Sequence, residues 1–131
     1  MNPATIKKHV LEAIPNQIGT YTYVNGYQGV AIAIGNPPND ITVSGVEVII
    51  PNFPTISKSH QYGYTHHRCE RWKLVVINHG QSKDNWFTAI DRILRYFPNC
   101  SGVDIPQSDP LKSLPMYVIT VSHGDGYEGV R

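Results

Sequence analysis

The segment Ser82–Phe97 constrains this chain more than any other. Trp86, Phe87, Ile90, Ile93, Leu94 and Phe97 recur on one broad stripe at helical spacing, while Asp84, Thr88, Asp91, Arg92 and Arg95 cover the other side. Ser82 or Asp84 can cap the start, Asp91 and Arg95 form a favourable i,i+4 pair, and Pro98 ends the helix. A stripe this wide must lie on another apolar surface. The chain offers that surface as β-rich runs: Thr20–Val24, Val30–Ile34, Val43–Ile50, Arg71–Asn78 and Met116–Ser122. A second, shorter amphipathic helix is expected from Pro3 to Ile14, where Asn2 caps, Pro3 takes the first position and Ile6, Val10, Leu11 and Ile14 make the apolar face.

The order helix, hairpin, long-looped hairpin, helix, strand predicts an α+β fold. It is a two-layer sandwich with a mixed, mostly antiparallel sheet of four to five strands and both helices on one face. Asn25-Gly26 predicts a two-residue hairpin turn before the strand Val30–Ile34. Val43–Ile50 and Arg71–Asn78 are expected to pair antiparallel, which would bring Glu47 opposite Lys73. At 131 residues the chain fits one domain, 1–131. Asn99–Pro115 reads as a proline-punctuated connector, and His123–Arg131, with three glycines, as a mobile tail.

Between the two paired strands lies Pro51–Glu70, an inter-strand arm of about 20 residues with little periodicity, longer than most structureless loops. Phe53, Ile56, Tyr62 and Tyr64 in it need something to pack against.

Composition excludes several functions. Lys and Arg number 11 against 10 for Asp and Glu, a net charge of +1, which argues against non-specific nucleic-acid binding and against a polybasic membrane surface. No apolar run is long enough for a membrane helix, and Lys7, Lys8, His9 and Glu12 interrupt the N-terminal stretch, so it does not read as a signal peptide. Cys69 and Cys100 read as free thiols in polar, loop-like segments. Nucleotide-binding glycine motifs and the serine-hydrolase elbow are missing from the sequence.

The one provocative cluster is His66, His67 and Cys69, with His60, His79 and His123 elsewhere. Imidazole and thiolate bind zinc, but neither CxxC nor HxxxH spacing occurs, so no metal or other cofactor is assigned. A small metal- or thiol-dependent enzyme on His66, His67 and Cys69, helped by His79 or His123, is the alternative reading. Arg68 and Arg71 with Tyr62, Tyr64 and Trp72 mix cations and aromatics, as protein contacts and single-strand nucleic-acid surfaces both do. The near-neutral charge favours a protein partner.

Several phrases of the chain resemble the tail-terminator (tail-completion) proteins of tailed bacteriophages. They are AIPNQIGTYTY after the first helix, GVAIAIG, VSGVEVIIPNFP, RWKLVVINHG, the helix DNWFTAIDRILRYFP and the closing strand MYVITVS. The resemblance is one of layout over most of the chain, without a catalytic signature. It implies a virion protein of the phage neck, assembled in the host cytoplasm, that catalyses nothing. It further implies a homohexameric ring that caps the tail tube protein and meets a head-side connector or stopper, with DNA passing through. A connector or stopper is the neighbouring possibility. On this reading Tyr62, Tyr64, His66, His67 and Arg68 of the arm are expected at subunit or tube contacts.

Overall fold

The computed structural model describes residues 2–61, 65–80, 83–97, 100–104 and 115–124; of residues 57–61, 65–69, 83, 100–104, 123 and 124 it describes the backbone. The chain runs α1 (Pro3–Ala13), β1 (Thr20–Tyr23), β2 (Gln28–Val30), β3 (Ile32–Ile34), β4 (Ile41–Ile50), β5 (Thr55–Gln61), β6 (Thr65–His79), α2 (Lys83–Tyr96), β7 (Cys100–Asp104) and β8 (Met116–Gly124). The strands form one mixed sheet in the order β2-β1-β4-β6-β8-β7, with β3 added parallel to β4 and β5 antiparallel to β6. Every other pairing between these strands is antiparallel, and an isolated parallel bridge joins Ile18 to Val46.

Both helices cover one face, as expected. Ile6, Val10 and Ala13 of α1 and Trp86, Ala89, Ile90 and Ile93 of α2, followed by Phe97, meet alternate residues of three strands: Val46, Val48 and Ile50, then Trp72, Leu74 and Val76, then Ile119 and Val121. The period of two along each strand selects these residues. Asn2 caps α1 as the sequence predicts, its Oδ1 accepting from the Thr5 N–H at 2.9 Å. Trp86 stacks on Tyr117 with ring centroids 4.9 Å apart and is buried, whereas its neighbour Phe87 remains 46 % exposed.

The sheet is larger than expected, with eight strands among the described residues rather than four or five. One addition comes from Val30–Ile34, which is not one strand. At Ala31 the chain leaves β1 and joins β4: the Ala31 N–H donates to Gly19 O at 3.0 Å and its carbonyl accepts from Val48 N–H at 2.9 Å. This exchange presses Gly19 against β4, where a Cβ would stand 2.1 Å from Ser44 O. The β1–β2 connection is also longer than a two-residue turn. Tyr23 N–H donates to Tyr27 O, and only Gly26 takes a positive φ (88°), so Val24, Asn25 and Gly26 form a three-residue loop.

The other additions come from segments read as irregular. Cys100–Asp104 of the expected connector is β7, paired with β8. Residues 55–61 and 65–70 of the expected loop are β5 and the first part of β6. Cys69 and Cys100 therefore lie in strands, not loops. β8 runs to Gly124, so His123 and Gly124 of the expected tail are strand, and 125–131 lie outside the described residues.

Candidate functional site

Strand β6 organises the molecule. Its fifteen residues pair with β5 through 65–71, with β8 through 69–77 and with β4 through 75–79. Residues 65–68 thus have β5 as their one backbone partner among the described residues. There the two strands leave the sheet as a two-stranded ribbon. The arm of the sequence reading is this β-hairpin.

Register places the expected contact residues on it. His66 pairs with His60, His67 with Ser59 and Arg68 with Lys58. Tyr62 and Tyr64 lie outside the described residues, between the two strands. Two expectations fail here. Trp72 does not join the surface of Arg68 and Arg71, because it is 2 % exposed in the core. His79 cannot complete a metal or thiol site with His66 and His67, since about 40 Å of strand separates them at ~3.3 Å per residue.

His79 is instead part of a polar cluster that sequence reading missed. Its Nε2 lies 2.7 Å from Glu47 Oε1, and the Tyr21 hydroxyl donates to Glu47 Oε2. Glu47 is 3 % exposed and faces away from the helices, opposite Ile77 rather than Lys73 in register. Lys73 pairs with Thr120. Burial and the bond to Glu47 push the Tyr21 hydroxyl well above its ordinary pKa. This cluster joins β1, β4 and β6. It sits beside a small apolar group of Tyr21, Ala31 and Ala33, flanked by Tyr23, Ile41 and Val43.

At the far end of the sheet from the arm, the β1–β2 loop carries a shallow, open hollow. Tyr23, Val24, Asn25, Tyr27, Asn39 and Asp40 line it. The Tyr23 and Tyr27 rings stand 5.6 Å apart at 44°, Val24 is 85 % and Tyr27 66 % exposed, and Asp40 supplies the charge at the rim. A third cluster ties α1 to α2. Tyr96 Oη donates to Glu12 Oε2, and His9 Nδ1 lies 3.2 Å from the same hydroxyl. The Glu12 bond raises the Tyr96 pKa.

No group of three or more His, Cys, Asp or Glu suited to hold a metal ion occurs among the described residues, and no described helix is long and apolar enough to cross a membrane. The arrangement offers recognition surfaces: a polar ribbon at one end, and exposed Val24 and Tyr27 at the other, with Phe53 and Ile56 also exposed near the base of the arm. No family model matches the chain, and no curated protein and no solved structure matches it either.

Proposed function

We propose that this chain is a structural assembly subunit of a phage neck, a tail terminator that forms a homohexameric ring on the tail tube and presents a surface to the head-side connector. The projecting β5–β6 ribbon carries this reading, because residues 65–68 serve no other described strand and a ribbon of this kind is suited to reach a neighbouring chain. Exposed apolar side chains at Val24, Tyr27, Phe53 and Ile56 support it, since such residues mark contact surfaces when they gather at the ends of a fold. Ring contacts would be heterologous, one patch meeting a different patch on the next copy. Tyr62, Tyr64, His66, His67 and Arg68 take the arm's side of those contacts.

The test is tube growth. Tail tube protein of the same virus is polymerised with and without the purified chain, and tube lengths are measured by electron microscopy. Added chain should stop growth and leave a ring density at the tube end. Tubes that keep growing at saturating chain, with bare ends, would exclude a terminator.

A further inference from the structure

We propose that Asn25 is a site of spontaneous covalent modification, at which the Gly26 backbone nitrogen closes on the Asn25 side chain and water opens the ring to aspartate or isoaspartate. The β1–β2 loop gates the reaction. It needs no partner and is independent of any role in a phage neck.

The sequence selects this asparagine. Of the nine in the chain, Asn25 alone precedes glycine; Asn2 and Asn36 precede proline, and the other six precede a residue with a larger side chain. The following backbone nitrogen must reach the asparagine Cγ, and a Cβ beside that nitrogen obstructs the approach. A proline nitrogen has no proton to lose. Asn25 and Gly26 are both exposed. Beyond the two chain neighbours of Gly26, no heavy atom stands within 4 Å of where its Cβ would sit.

The chemistry uses water alone. The Gly26 nitrogen gives up its proton and attacks Asn25 Cγ. A new C–N bond closes a cyclic imide, the Cγ–Nδ2 bond breaks, and Nδ2 leaves as ammonia with that proton. Water then adds to either imide carbonyl. Addition at Cγ gives aspartate with the main chain as before. Addition at the main-chain carbonyl routes the chain through Cβ and gives isoaspartate. Either product is about 1 Da heavier and carries one more negative charge.

The loop poises one reactant and restrains the other. Asn25 Oδ1 accepts the Tyr27 N–H at 3.0 Å, a donor placed on the oxygen where charge develops when Cγ is attacked. The Gly26 N–H donates to Tyr23 O at 2.9 Å, and the Tyr23 N–H donates to Tyr27 O at 2.8 Å, closing the loop. Attack therefore waits for the Gly26 bond to break, a local opening of an exposed turn. Conversion changes this surface. The new carboxylate lies in the hollow that Asp40 also lines, where like charges repel. Isoaspartate also adds a main-chain carbon to a three-residue loop whose length fixes its strand register.

Mass spectrometry of the full chain, aged at mildly alkaline pH, tests this. Folded protein should gain about 1 Da at residue 25, located by fragmentation, before any other asparagine converts. In urea the gain should be about tenfold faster, the equivalent of one hydrogen bond. Asn25→Gln should abolish it, because the ring would need one more atom. In aged ¹⁵N-labelled protein the amides of Tyr23, Gly26 and Tyr27 should shift while those of Ile6, Leu74 and Ile93 stay in place. An unmodified residue 25 in urea, or another asparagine converting first in the folded chain, would overturn the site. Equal rates with and without urea, or no conversion of the folded chain by the time the unfolded one is exhausted, would overturn the gate.

Discussion

Glu47 shows what a single buried carboxylate does in a small sheet. A charge this deep is tolerated when its oxygens are satisfied, and here the Tyr21 hydroxyl and the His79 ring take one oxygen each. Removing the Tyr21 hydroxyl leaves Oε2 short of a donor. Tyr21→Phe should cost about 1–3 kcal/mol in urea unfolding at pH 7. The same substitution should change the alkaline limb. An unfolded tyrosine loses its proton near pH 10, whereas folded Tyr21 keeps its proton well beyond that. Above pH 10 the unfolded state therefore binds fewer protons, and stability falls with pH by about 1.4 kcal/mol per unit for this group. Below pH 9 the contribution is fully present. Urea midpoints at pH 9 and pH 11 should fall more steeply in the native protein than in Tyr21→Phe; equal slopes would mean that Tyr21 titrates freely. The sequence hid this cluster because Glu47 alternates with Val46 and Val48 like any solvent-facing strand residue, and the covering Tyr21 arrives from a strand more than twenty residues away.

At the scale of elements, legibility followed periodicity. Both helices lie within a residue of their expected ends; Asn2 caps α1, Asp84 lies inside α2 rather than capping it, and Ser82 and Pro98 lie outside the described residues. The β5–β6 ribbon read as a loop because its strands, TISKSHQ and THHRCER, carry no apolar face to set a period. Such strands are held by pairing alone, and register in them is weakly specified. The split at Ala31 was equally hidden, because a strand that changes partners keeps the same apolar composition throughout. The stripe of α2 also divides in a way that a helical wheel does not resolve. Trp86 and Phe97 are buried, whereas Phe87 leans on Trp86 from outside. Trp86→Ala and Phe97→Ala should each cost about 3–5 kcal/mol. Phe87→Ala should cost less than half as much, as measured by thermal or urea unfolding. Gly19→Ala tests the β1–β4 approach: a methyl 2.1 Å from a backbone oxygen forces the strands apart, so this variant should destabilise the fold although it adds an apolar group.

For the whole molecule, the core and the arm are expected to separate energetically. Among the described residues the buried cluster draws on α1, α2, β3, β4, β6 and β8, and its first described member on β6 is Trp72. Replacing residues 59–67 by Asn-Gly would let Lys58 and Arg68 flank a two-residue turn in their present register. That removes the ribbon's outer pairs and both tyrosines and leaves every described residue of the buried core in place. The shortened chain should unfold within about 0.5 kcal/mol of the native one, as surface changes away from packed features do. Its behaviour in assembly should differ completely, with loss of tube capping. Unfolding and capping measured on one preparation distinguish the two roles. A stable chain that no longer assembles assigns the arm to recognition. A chain that loses several kcal/mol would show that the ribbon is part of the fold, and that the long β6 strand depends on β5 over its whole paired length.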